Sequence, residues 1–133
     1  MLSLTTAVVY GPVVRQVFAH VAVVVMEPDD DFRAPGGAIT VALCGAWEHE
    51  PPCPLAPHHT AAERDGDVVR LRVLFAAESA EEREVRRRIA EALASGGLVT
   101  PGGDVARWQV ISHGPADTVR PDEAELGRRL AAT

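Results

Sequence analysis

Apolar and polar positions along the chain alternate with two different periods, and the elements follow from them. Val13 to Met26 is dominated by β-branched valine, which packs well on a pleated surface, and it stops at the turn-forming run Glu27-Pro28-Asp29-Asp30-Asp31. This predicts the first strand. Gly11-Pro12 also offers a helix start, and Val13, Val14, Val17, Phe18 and Val21 have helical spacing, so a break near Arg15 is an open alternative. Gly36-Gly37 after Pro35 marks a turn into Ala38 to Trp47, where Ile39, Val41 and Leu43 alternate with Thr40, Ala42 and Cys44. A second strand is expected there. The third, Asp67 to Phe75, places Val69, Leu71, Val73 and Phe75 on one face and Arg70 and Arg72 on the other, the pattern of a sheet with one covered and one wet side.

The cover is predicted from Ser79 to Ser95. Ser79 and Glu82 have the spacing of a capping box, and Val85, Ile89 and Leu93 form an apolar stripe at helical intervals. Gly96-Gly97 ends this helix, Gly102-Gly103 closes the following loop, and Ala106 to His113 reads as a fourth strand with Trp108 and Val110 inward. Asp122 and Glu125 then cap a short C-terminal helix carrying Leu126 and Leu130. The order β-β-β-α-β-α predicts an α+β fold: a four-stranded, mostly antiparallel sheet with one long and one short helix packed on one face. No repeat or linker divides residues 1–133, so a single domain is expected.

Composition agrees with that size. A chain of 133 residues, 47% hydrophobic and 24% charged, has the make-up of one globular domain and excludes disordered and fibrous classes. The net charge of -6 and pI near 5.3 disfavour polyphosphate and anionic membrane surfaces, so no nucleic-acid or membrane partner is expected. Every basic residue is Arg, which removes lysine Schiff-base chemistry and the P-loop lysine. Two cysteines are too few for a disulfide framework, and the first basic residue, Arg15, comes too late for a signal-peptide n-region; a cytoplasmic location follows as the expectation. The most apolar run, Val17 to Met26, is far short of the ~20 residues needed to cross a bilayer.

Candidate chemistry is concentrated between the second and third strands. The stretch Glu48 to His59, continuing to Gly66, is long for a connection in a small domain, and Pro51, Pro52, Pro54 and Pro57 stiffen it. Cys44, His49, Cys53 and His58 read C-x4-H-x3-C-x4-H, two thiols and two imidazoles of the kind that tetrahedral Zn²⁺ accepts. His59 competes with His58 as a ligand, because neighbours in an extended segment point to opposite sides. The spacing differs from that of fingers and ribbons, which open with two close cysteines. If Cys44 stays in the core, His49, Cys53 and His58 or His59 leave an open metal position, and Glu48 or Glu50 becomes a candidate base on metal-bound water. Against these stands the plain alternative of Cys44 as a small buried hydrophobe, Cys53 as an inert loop thiol and surface histidines without metal. A Cys44-Cys53 disulfide is a lesser alternative, disfavoured by the expected cytoplasmic location.

Other clusters carry ordinary readings. Asp29-Asp30-Asp31 lacks the alternating ligands and glycine of an EF-hand and reads as a solvated turn. Arg83, Arg86, Arg87 and Arg88 are offset by Glu82 and Glu84 at i,i+4 and read as an exposed helix face. The glycine pairs match no phosphate-binding loop, Ser112-His113 is a weak nucleophile-base pair, and His20 in the valine run reads as a satisfied core or interface histidine. Three functions follow. The first is a small binding or regulatory domain whose 44–59 loop is held by zinc. The second is a metal-independent homodimer that pairs through a sheet face or edge, because the valine-rich strand exceeds what two short helices cover. The third is a zinc hydrolase.

Overall fold

In the computed structural model, which describes residues 14–45, 56–117 and 119–132, the valine-rich segment forms strand β1 (Gln16–Val25), which begins just after Arg15. It is followed by α1 (Ala34–Cys44), β2 (His58–Asp65), β3 (Val68–Ala77) and α2 (Glu82–Ser95). A short hairpin of β4 (Gly97–Val99) and β5 (Val105–Arg107) leads to β6 (Gln109–Pro115) and the C-terminal helix α3 (Ala124–Ala131). The main sheet has the order β2-β3-β1-β6, and each neighbouring pair is antiparallel. The α+β class and the four-stranded antiparallel sheet are those the periodicities predict. Two split β-α-β units interleave, β1-α1-β2 around β3 and β3-α2-β6 around β1.

One strand of that sheet is not the expected one. Ala38 to Cys44, whose alternation predicts a strand, belongs to α1, and His58–Asp65, expected as the end of a long loop, supplies the strand instead. The reason lies in the company α1 keeps. Ala34, Pro35, Gly37, Ala38, Ile39 and Leu43 are all buried, so the helix is apolar around most of its circumference and has no polar stripe to betray a 3.6-residue period. Pro35 in the first turn favours helix initiation, and Gly45, at φ 89, ends it in the left-handed conformation. Gly36 allows the close approach of α1 to β2: a Cβ there would lie 3.1 Å from Cγ2 of Thr60.

The core forms between α1, α2 and one sheet face. Ala22 and Val24 of β1 and Val69, Leu71, Val73 and Phe75 of β3 meet Ile39, Leu43, Val85, Ile89 and Leu93, each large side chain contributing about 1.5–3 kcal/mol of burial. The predicted capping box at Ser79 and Glu82 is not formed. Ser79–Glu81 is a 3-10 turn, and Glu81 precedes α2 with no side-chain cap bond. The expected strand Ala106 to His113 is divided at Trp108, whose indole Nε1-H donates to Leu93 O at 2.9 Å while its backbone N-H donates to Gly96 O at 3.0 Å. That anchor turns the chain out of the hairpin and into β6.

The opposite sheet face receives the C-terminal helix. Gly127 of α3 packs on Val17 of β1, where a Cβ would come within 3.2 Å of the valine methyls, and Glu123, just before α3, grips Arg72 of β3. The two longer helices and the short one therefore lie on different sides of the sheet.

Candidate functional site

The predicted metal-binding stretch is only partly within the described residues: Glu48, His49, Glu50 and Cys53 lie outside them. Cys44, at the end of α1, is disulfide-bonded, and the sequence holds one other cysteine, Cys53. In this form its sulfur is not a thiolate ligand. His58 at the start of β2 faces α1 and is engaged on both ring nitrogens. A carbonyl only accepts, so Nδ1-H donates to Ala56 O at 3.1 Å, which leaves Nε2 to accept from the Thr40 hydroxyl at 2.8 Å. Cys44 Sγ lies 3.9 Å from the same Nδ1. The structure thus brings Cys44 and His58 together, while His59 points to the other sheet face, as the alternation of a strand requires. Among the described residues no group of three or more His, Cys, Asp or Glu side chains is arranged to hold a metal ion.

A second cluster was not anticipated as a unit. His20, on the helix-facing side of β1, is the buried polar residue among those described, and Arg86 of α2 reaches it instead of lying on an exposed helix face. The Arg86 guanidinium donates to His20 Nδ1 at 2.8 Å and to Ala19 O at 3.1 Å, pairs with Glu82 at 2.8 Å, and lies over the rings of Phe18 and Phe75. Because a guanidinium only donates, neutral His20 carries its proton on Nε2 and donates it to His113 Nδ1 of β6 at 3.2 Å. Burial first, then the charges of Arg86 and His113, lower His20 to about 4. The sequence shows the Glu82-Arg86 spacing but not that α2 turns this pair inward. The unusual signal was His20 itself, a lone polar residue in a valine run.

The third site is a groove on the second sheet face. Its volume is about 450 Å³, and its floor is Val21 and Val23 of β1 with Ala61 of β2. Leu126 of α3 forms an apolar wall, and Arg70, Arg72, Arg120, Glu63, Asp122 and Glu123 surround it. The register explains the layout: Ala61, Arg72 and Val21 form one row across the strands, Glu63, Arg70 and Val23 the next. Arg72 and Glu123 form a forked pair at 2.6 and 2.8 Å, each side chain 15% exposed. Hydrogen bonds from Arg72, helped by the Arg120 backbone N-H, hold Glu123 down to about 2. Arg70 differs: it is exposed and forms no ion pair with any described residue. Alternation along β3 predicted the outward arginines, but nothing local predicted that α3 would wall them in.

The edges of the sheet bear on self-pairing. β6 carries a bulge where Ile111 is the extra residue opposite Val23 and Val24, and it ends in Pro115, both features that hinder addition of another strand. The outer strand β2 carries Glu63, Arg64 and Asp65. No described helix is long and apolar enough to cross a membrane. No protein-family model, curated protein or solved structure matches this chain.

Proposed function

We propose that this protein is a binding module whose groove over β1, β2 and β3 takes a small ligand with an apolar body and one anionic end. The observation that carries this reading is Arg70, unpaired among the described residues, beside an apolar floor and next to an arginine already committed to Glu123. A volume of about 450 Å³ suits a small organic molecule. The apolar body lies on Val21, Val23, Ala61 and Leu126, while Arg70 and Arg120 receive the anion. Acidic neighbours Glu63 and Asp122 select against a second negative group.

The test is methyl NMR with hexanoate and phenylpropionate as probes and the matching neutral amides as controls. The acids shift the Val21, Val23 and Leu126 methyls, and Arg70→Gln weakens them about tenfold, the loss of one charge-assisted contact. Equal shifts from the amides, or an unaltered affinity in Arg70→Gln, reject the reading. Light scattering that finds a dimer, abolished by Val23→Arg, assigns the groove to a second copy of the chain instead.

The contact between Cys44 and His58 favours a second reading for the reduced protein. With the disulfide open, Cys44 and His58 would form half of a zinc site, and His49 and Cys53 are the remaining candidates. Thr40 would then accept from Nε2-H and orient the imidazole, as outer partners of metal-bound histidines do. Equimolar zinc in reduced protein, lost in Cys53→Ser, supports this; reduced protein that takes up no zinc rejects it.

A further inference from the structure

We infer that the chain Glu82-Arg86-His20-His113 is an acid-released clasp, which holds edge strand β6 to β1 and α2 while both imidazoles are neutral and frees it when either takes up a proton. The clasp is built across three elements: Glu82 and Arg86 come from α2, His20 from β1 and His113 from β6. Every link is directional. The guanidinium has no lone pair to offer, so His20 Nδ1 accepts, Nε2-H donates, and His113 Nδ1 accepts. A proton on His113 Nδ1 sets two N-H donors against each other across 3.2 Å, and one on His20 Nδ1 does the same against Arg86 across 2.8 Å.

Among the described residues no carboxylate in contact with the cluster is free to compensate that added charge. Val73 and Phe75 of β3 face the cluster without charge, Arg86 approaches from α2, and the carboxylate of Glu82 is already paired with Arg86. Like charges at such separations repel strongly in a partly buried setting. β6 is the element free to respond. It is an edge strand, its ladder to β1 is interrupted at the bulge, and His113 is solvent-exposed, whereas β1 and β3 are interior strands. Local opening of a strand with few partners requires less than global unfolding. The low proton affinity of His20 agrees with a clasp that is closed near neutral pH.

The test is amide hydrogen exchange, corrected for intrinsic rates, on the full chain between about pH 7.5 and about pH 5. Protection of β6 amides falls about tenfold or more beyond the fall in β3, which follows global stability, and His113→Asn, whose Oδ1 keeps the acceptor, removes that excess. Ring-nitrogen NMR of the wild type checks the wiring without any variant, with the proton on Nε2 of both rings. A β6 whose protection falls only in step with β3, an undiminished excess in His113→Asn, or a proton on Nδ1 of His20 at neutral pH overturns the clasp.

Discussion

Arg64 joins more of the chain than its position in a polar strand end suggests. Its guanidinium donates to Gly66 O at 2.8 Å, Asp30 O at 3.1 Å, Met26 O at 3.2 Å and Glu27 O at 2.7 Å, tying the β2–β3 turn to the connection between β1 and α1. Those carbonyls lose the guanidinium in Arg64→Ala, Glu27 O still accepting from the Asp30 N-H, and we expect stability to fall by about 2 kcal/mol in urea unfolding, with Arg64→Lys recovering less than half because an ammonium cannot span the set. His20 makes a prediction about pH. Its imidazole titrates near 6.5 when unfolded and about 4 when folded, so the unfolded state binds the proton first as pH falls. Its contribution is complete above about 6.5 and is lost progressively toward 4, roughly 3 kcal/mol in all. Urea midpoints at several pH values measure this slope, and His20→Gln flattens it; an unchanged slope contradicts the assignment. Neither role was readable beforehand, since i,i+4 spacing identifies a pair but not the third group it touches.

At the scale of elements, legibility followed the contrast between faces. β3 and α2 each have one buried and one wet side, so Val69-Arg70-Leu71-Arg72 and Val85, Ile89, Leu93 declare their periods in sequence. α1 has no such contrast, and its apolar alternation mimics a strand. Its helical state is set by burial against α2, β2 and the sheet, and Gly36, a poor helix former, sits where the backbone passes close to Thr60. The helix α3 depends on a similar approach at Gly127. We expect Gly127→Val to push α3 off Val17, costing about 1–3 kcal/mol and raising hydrogen exchange in α3, with β2–β3 protection little changed. Unaltered α3 exchange contradicts that packing.

The whole molecule uses both faces of its sheet, and the C-terminal segment makes the second face a groove. Ala19, Leu74 and Ala76 are buried on that side with α3 packed against β1 and β3. A chain ended at Asp117 is therefore expected to bind a hydrophobic dye and to associate at micromolar concentration, measured by fluorescence and light scattering; a monomeric, dye-silent product contradicts it. The sequence by itself determined the α+β class, the strands β1 and β3, the helix α2 and the opposite orientations of His58 and His59. Each rests on local periodicity, and periodicity is a property of neighbours along the chain. Only the tertiary structure decided that Ala34–Cys44 is a helix, that Arg86 turns inward to His20, that Cys44 meets His58, and that Leu126 and Glu123 close a groove over Val21 and Val23. Those outcomes depend on contacts between residues far apart in sequence, whose geometry is set by how sheet and helices pack.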